Sequence, residues 1–543
     1  MNARIRFFLL FLAVLIPSLQ FVWQNRDMPE FAYLHDDGVL FVSAQSLASG
    51  QGYLIPSLPE RPYQAKFPPL YPLYLSAIWH LNPAFPANLG LASWLCWLTL
   101  AICLALASLL YKDAGFSEPR RWALTFALGL SPYLILFGSM MFSEVFFTCF
   151  VLGTLILAER PGSKAILAAG VLACAAYLTR TAGLALLVSV PLVLLIKRDW
   201  RRAAIFAGTM MPAVIGWTLW VNAHLPHSQD LTLLYYADYF GFRAINFGLD
   251  NLAVILWKNA DKLLYSVGSL VLPAIAQDSL LLKILTQVIA VAMLSGCIRL
   301  ARKGVMLGYA IFTLVSLGIL MIWHYPPTER FVLPLFPLLL AGFFTEMEHL
   351  WAMLRKAFAH RDRSQRVVAY GFAGAVGLLL IAAVGTQGFM TFRFLNQNTA
   401  LQRSKLQDRQ AAYQWIAANV RQDAGILSYD DPLLYLYSGR RGNYMPLLPR
   451  WWYAEDHQSM QKAYQDVAEY CRTRNLSYFY FTTEDLSRET GDEDRQKIEA
   501  LVRGNSSLTP VYQSGIGTLF RVEAASSPIS SQVLERAARE SHR

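Results

Sequence analysis

The side chains best suited to chemistry gather in a few short stretches between long apolar runs. The first is Tyr33-Leu34-His35-Asp36-Asp37-Gly38, which sets two adjacent carboxylates just beyond the first hydrophobic segment. A carboxylate at a membrane–water boundary is costly unless it has a partner or a task, so Asp36 and Asp37 are candidates for a catalytic base. Capping competes with that role, because a helical pattern starts near Val39 and an Asp oxygen would accept an orphan backbone N–H there. Both readings hold if Asp37 caps while Asp36 does the chemistry. The second stretch is Tyr63-Gln64-Ala65-Lys66-Phe67-Pro68-Pro69-Leu70-Tyr71-Pro72. Its paired prolines stiffen the backbone and hold one ammonium, Lys66, at the edge of an apolar segment, which suits a phosphate. The competing reading is a lysine snorkelling to the headgroups.

Three further turns carry charge. Ser139-Met140-Met141-Phe142-Ser143-Glu144 sets Glu144 at a helix N-terminus, where a capping role at the positive end of the dipole competes with binding. Arg180 stands in Leu178-Thr179-Arg180-Thr181, and Arg330 follows His324-Tyr325-Pro326-Pro327-Thr328-Glu329. Two arginines and a lysine on one face could clamp a phosphodiester and its leaving group. Anchoring to lipid phosphates is the plainer alternative. Tyr71, His324 and Tyr325 share these turns and join Lys66, Glu144, Arg180 and Arg330 as candidate substrate contacts.

The elements that must position these turns are membrane spans. A chain of 543 residues that is 55% hydrophobic and 15% charged lies far from an ordinary soluble domain and reads as a polytopic α-helical membrane protein. At roughly 20 apolar residues per span, candidates cover 7–23, 89–110, 122–137, 145–158, 165–179, 184–196, 203–221, 280–298, 305–323, 332–344 and 367–389, about eleven transmembrane helices. The first follows Arg4 and Arg6 but lacks a small-residue cleavage site over 20–28, so it reads as an anchor. Arg4, Arg6, Lys112, Arg120, Arg121, Arg160, Lys164, Lys197, Arg198, Arg201, Arg202, Arg299, Arg302, Lys303, Arg355, Lys356, Arg361, Arg363 and Arg366 then fall on one side, which the positive-inside rule makes cytoplasmic. The acidic pair, the segment 224–276 and the turn 324–330 fall on the other, so the candidate chemistry is expected on the extracytoplasmic face.

The net charge of +10 is accounted for by those basic loops facing anionic lipids, and no basic-aromatic stripe points to nucleic acid. Cys96, Cys103, Cys149, Cys174 and Cys297 sit inside apolar spans, and Cys471 has no evident partner, so neither a disulfide framework nor a metal spacing emerges. The expected regions are a membrane domain over 1–389 with a long first external loop at 24–87, a soluble α/β domain over 390–523 and a disordered polar tail over 524–543. Within the second, helical patterns at 408–420, 432–437, 460–474 and 493–502 alternate with strand patterns at 425–429, 478–482, 508–512 and 518–522.

Taken in order, these stretches resemble the GT-C membrane glycosyltransferases, in particular bacterial relatives of protein O-mannosyltransferases and of the aminoarabinose transferase acting on lipid A. Asp36-Asp37 precedes Ala44, Ala48 and Gly50-Gln51-Gly52-Tyr53, Lys66 to Tyr71 forms a Lys-aromatic-Pro-Pro-Leu-Tyr element, and Ser143-Glu144, Thr179-Arg180 and Arg330-Phe331 with Pro334 and Pro337 look like the later signatures. Asp37 departs from the pattern, since many relatives carry Glu there, and this leaves the division of labour within the pair open. The resemblance implies a GT-C fold in a bacterial inner membrane, with the N-terminus cytoplasmic and the C-terminal domain extracytoplasmic. It implies sugar transfer from a polyprenyl-phosphate donor to an extracytoplasmic acceptor, with inversion at the sugar. A carboxylate of the pair would be the catalytic group, and Lys66 and Arg330, with Arg180 behind them, would bind the phosphate. A divalent metal would be compatible with that chemistry, but no ligand cluster in the sequence supports one.

Two rivals come from other classes. A carrier that flips lipid-linked sugars would place its ionisable residues near mid-membrane, whereas here they gather at the outer ends of spans. A scaffold presenting the soluble domain explains that domain but not the charged turns.

Overall fold

The computed structural model describes residues 3–524 apart from 33, 227, 229, 239–241, 243–250, 274–278, 324, 359–362, 447–452, 454, 455 and 488. His324 and the tail beyond Ala524 thus lie outside the described residues. Two compact units divide the chain, one holding residues up to 56, 61–404 and Tyr453, the other holding 57–60, 405–446 and residues from 456 onward. The division falls past 389, where the composition turns polar, because the polar residues there continue as a helix, Leu395–Asn419, whose first turns belong to the first unit.

The first unit is helical. Among the described residues six helices are long and apolar enough to cross a membrane, Arg4–Gln24, Leu89–Asp113, Trp200–His224, Leu280–Arg302, Glu329–Phe358 and Arg366–Asn419. A seventh forms if Glu118–Gly129 and Pro132–Ser139, bent by 58°, count as one span. That bend has a local cause: Pro132 cannot donate into the preceding helix, and Ser131 restarts the chain as an N-cap by accepting the Leu134 N–H. The remaining apolar helices, Ser163–Thr179, Thr181–Ile196 and Leu307–Met321, are shorter, as is the 17-residue Ser143–Glu159. A helix of that length rises about 25 Å, less than the roughly 30 Å of a hydrocarbon core, so about eleven spans are not reached on length alone.

One continuous core joins these helices, with Leu100, Leu152, Ile166, Ala173, Phe206, Met210, Ile289 and Met293 all buried. Small residues bring two backbones together: a β-carbon on Gly296 would stand 1.8 Å from the Gly342 carbonyl oxygen, so Leu280–Arg302 and Phe336–Phe358 meet without side chains between them. Before that contact the chain passes through a short helix, Glu329–Val332, and a 3-10 turn, Leu333–Leu335. Pro334 and Pro337 break the regular ladder there, and the buried hydroxyls of Tyr309 and Tyr111 donate to their carbonyls.

The stretch beyond the first helix is irregular but tightly bonded. Residues 25–32, with 34 and 35, form tight turns in which Met28, Ala32 and His35 take left-handed φ values of 48°, 63° and 67°. The helix Asp36–Ala48 follows at once. An antiparallel bridge pairs Leu54 with Tyr63 and leads through Lys66 to the helix Leu70–Leu81.

The second unit contains a five-stranded sheet in the order β2-β1-β3-β5-β4. Its strands are β1 Gly425–Ser428, β2 Gly442–Asn443, β3 Leu476–Thr482, β4 Leu508–Ser514 and β5 Gly517–Val522. β2, β1 and β3 are parallel, while β5 pairs antiparallel with β3 and β4. β2, only two residues long, is the strand that periodicity cannot register. Ile426, Leu427, Phe479, Phe481, Leu519 and Phe520 are buried on this sheet.

Candidate active site

The acidic pair divides its two members by environment. The helix begins at Asp36, earlier than the pattern near Val39 predicts, with His35 as its N-cap and no capping side chain. Asp37 is therefore inside the first turn, and its task differs from helix capping: fully buried, its Oδ2 accepts the N–H of Ala32 at 2.9 Å and ties the loop to the helix start. Burial pushes its carboxyl up to about 7, opposed by that N–H and by the charge of Arg330. Asp36 keeps 24% of its side chain open and faces two cations, with Lys66 Nζ at 3.7 Å and Arg330 Nη1 at 3.0 Å. Burial would raise this carboxyl, but the charges of Lys66 and Arg330, with a smaller contribution from His35, bring it down to about 2.

Lys66 points inward, not to headgroups, with only 9% of its side chain exposed. Its turn is built by Gln64, fully buried, whose Oε1 accepts the N–H groups of Lys66 at 3.0 Å and Phe67 at 3.2 Å. Tyr53 closes the same turn by donating its hydroxyl to the Phe67 carbonyl at 2.8 Å. The ammonium lies 4.3 Å from the centre of the Tyr235 ring and 5.0 Å from that of Phe67.

Glu144 opens the helix Ser143–Glu159 but makes no side-chain cap there. Its carboxylate is buried and turns to two arginines instead: Oε1 accepts Arg180 Nη1 at 2.7 Å and the Nε of Arg330. Arg180, where Ser163–Thr179 ends in extended backbone, also donates to Ser143 Oγ at 3.0 Å. Arg330 sits on the short helix before the proline-rich turn, its guanidinium 4.2 Å from the Phe142 ring centre. The charged groups thus alternate in sign through Arg180, Glu144, Arg330, Asp36 and Lys66. An alternating chain of this kind lets buried charges satisfy one another.

Tyr71 is buried in the first turn of Leu70–Leu81 and packs on Phe146, on the helix that carries Glu144, at 5.4 Å between ring centres. Tyr325 is half-buried in the segment leading to Arg330. Among the described residues no group of three His, Cys, Asp or Glu side chains converges to hold a metal ion. Sequence reasoning missed Tyr235 and Tyr236, of which the second bonds His35 Nε2 through its hydroxyl at 3.1 Å. Their only signal was a paired tyrosine in the long segment 224–276.

The class that this architecture defines is the GT-C fold. ArnT from Cupriavidus metallidurans bound to undecaprenyl phosphate superposes with a TM-score of 0.51 at 15% identity, covering 96% of this chain and 99% of that one. ArnT from the same organism in the apo state gives a TM-score of 0.52 at 14% identity over 96% of this chain and 98% of that one. Archaeal oligosaccharyltransferase AglB from Archaeoglobus fulgidus, in complex with an inhibitory peptide and a dolichol-phosphate, gives 0.49 at 12% identity over 96% and 75%. No protein-family model and no curated protein sequence matches the chain.

Proposed function

We propose that this protein is a membrane glycosyltransferase that moves a sugar from a polyprenyl-phosphate donor to an extracytoplasmic acceptor, a lipid, glycan or protein. The observation that carries the reading is Asp36 held between Lys66 and Arg330, a carboxylate and a phosphate clamp in one place. The shared fold with a structure that holds undecaprenyl phosphate supports a lipid-phosphate donor.

Between these two cations Asp36 is a weak base. A bound donor phosphate competes for both, and as they turn to it the Asp36 carboxylate regains basicity. It then accepts the proton of the acceptor hydroxyl as that oxygen bonds to the anomeric carbon. The carbon–oxygen bond to the phosphate breaks on the opposite face, giving inversion, and the electron pair leaves with the phosphate. Lys66 and Arg330 stabilise the charge developing there. Glu144 and Arg180 hold Arg330 in place, Asp37 holds the loop, and Tyr71 and Tyr325 border the substrate. The shorter apolar helices complete a set of about eleven spans in a bacterial inner membrane, with the N-terminus cytoplasmic and the sheet-bearing region external.

The test is incorporation of labelled sugar from a synthetic polyprenyl-phosphate donor into extracytoplasmic acceptors by the purified chain in lipid. Transfer dependent on Asp36 supports the reading. Movement of intact donor across the bilayer without bond cleavage would replace it with a carrier.

A further inference from the structure

The loop that delivers Asp36 is held from a direction the transfer chemistry does not use. The chain between Asn25 and His35 is held by successive tight bonds: the N–H of Met28 bonds the Asn25 carbonyl at 3.0 Å, that of Phe31 the Met28 carbonyl at 2.9 Å, and that of His35 the Ala32 carbonyl at 3.0 Å. With left-handed φ at Met28, Ala32 and His35, this backbone persists only where its surroundings over-determine it. Asp37 supplies one end of that restraint by accepting the Ala32 N–H.

The other end comes from the first turns of Leu395–Asn419. Arg403 grips Asp27 side-on with two N–H groups of its guanidinium, Nε to Oδ2 at 2.7 Å and Nη2 to Oδ1 at 2.8 Å. Asn25 Nδ2 donates to Asn396 Oδ1 at 3.2 Å. Glu30, 6% exposed, accepts the Thr399 hydroxyl at 2.5 Å and Asn398 Nδ2 at 3.4 Å. The Asp27–Arg403 pair is half-exposed and contributes modestly. The Glu30–Thr399 bond is buried, and a buried carboxylate that loses its donor is costly.

We propose that Glu30 and Thr399, assisted by Asp27 and Arg403, are positioning residues for Asp36. They set the register of the tight turns and so the place at which Asp36 meets donor and acceptor. The inference rests on the transfer reading, but its own readout does not.

The experiment uses the full chain in nanodiscs with Thr399→Val, Thr399→Ser and Arg403→Gln. Hydrogen exchange of residues 25–35 and the kinetics of sugar transfer are followed together. The expected result for Thr399→Val is faster exchange in that loop and a kcat lower by about 10- to 100-fold, as a displacement of about 1 Å produces. The donor KM stays near that of the parent chain, and Thr399→Ser restores both readouts. Arg403→Gln, at a half-exposed site, loosens the same loop to a smaller degree and serves if Thr399→Val does not insert. Unchanged exchange over 25–35, or a loss confined to donor KM, overturns the proposal. A parent chain that transfers no sugar would sink the transfer reading alone, and exchange would still decide whether the helix restrains the loop.

Discussion

Arg330 donates through Nη1 to Asp36 at 3.0 Å although 294 residues separate them, and the Nε of the same guanidinium bonds Glu144. One planar fork thereby satisfies two carboxylates carried on different helices, a geometry that a single ammonium cannot reproduce.

Replacing Arg330 should therefore cost more than replacing Lys66. Arg330→Ala leaves buried Glu144 and Asp36 short of a partner, and breaking a buried pair costs about 3–5 kcal/mol, which thermal unfolding in detergent will register. Arg330→Lys should recover little of that loss. Lys66→Ala should insert with near-normal stability and weaken donor use by roughly ten- to a hundredfold, the equivalent of one charge-assisted hydrogen bond. Equal stability of Lys66→Ala and Arg330→Ala would contradict the bridging role.

Asp36→Asn preserves size and shape but removes the base. Correctly inserted protein should lose transfer by about 10²–10⁴-fold, the contribution of general base catalysis. Near-full turnover at saturating donor would exclude Asp36 as the base, and a larger loss in Asp37→Asn would move the role to its neighbour.

The two carboxyls should also give stability opposite pH dependences. Asp37 is raised from 3.8 to about 7, so its contribution is full below 3.8 and is lost as pH rises toward about 7. Asp36 is lowered from 3.8 to about 2, so its contribution is present above 3.8 and is lost as pH falls toward about 2. Thermal melts of the detergent-solubilised chain between those limits should show the first slope, and Asp37→Asn should flatten it. Burial also pushes the Asp485 carboxyl up to about 7, so part of the slope remains in Asp37→Asn, and a slope wholly unchanged would assign it to other groups.

The sidedness of Lys and Arg makes a topological prediction. Reporters fused at Arg363 and at Gln458 should report opposite compartments, the first cytoplasmic and the second external. The same compartment for both would remove a span between them.

Much of the site was legible because charge is conspicuous between apolar spans. Asp36, Lys66, Glu144, Arg180 and Arg330 each stood out against their surroundings, and all five meet. Their pairing was not legible, since no local pattern announces that residues on separate helices share a carboxylate. The capping roles expected for Asp37 and Glu144 followed from N-terminal position alone, but Asp37 turns back to the Ala32 N–H of the preceding loop and Glu144 turns to arginines far away in sequence. The span count rests on the same local signal, because hydropathy registers an apolar segment whatever the length of its helix. Tyr235 and Tyr236, on the short helix Leu231–Ala237, and Gln64, in the first long loop, escaped notice among many similar polar and aromatic neighbours.

The alternating chain through the site has cations at both ends, Arg180 and Lys66, so among Arg180, Glu144, Arg330, Asp36 and Lys66 positive groups outnumber carboxylates by one. On the proposed reaction a phosphodiester donor brings a single negative charge and neutralises that excess. The spent carrier is a phosphate monoester whose second ionisation lies near pH 6, so at neutral pH it approaches a double charge, and once Asp36 has released the proton it accepted the site becomes overcompensated. Repulsion from Asp36 and Glu144 then favours its departure, and ejection of the spent lipid follows from the arithmetic of the same ion pairs that admit the fresh one.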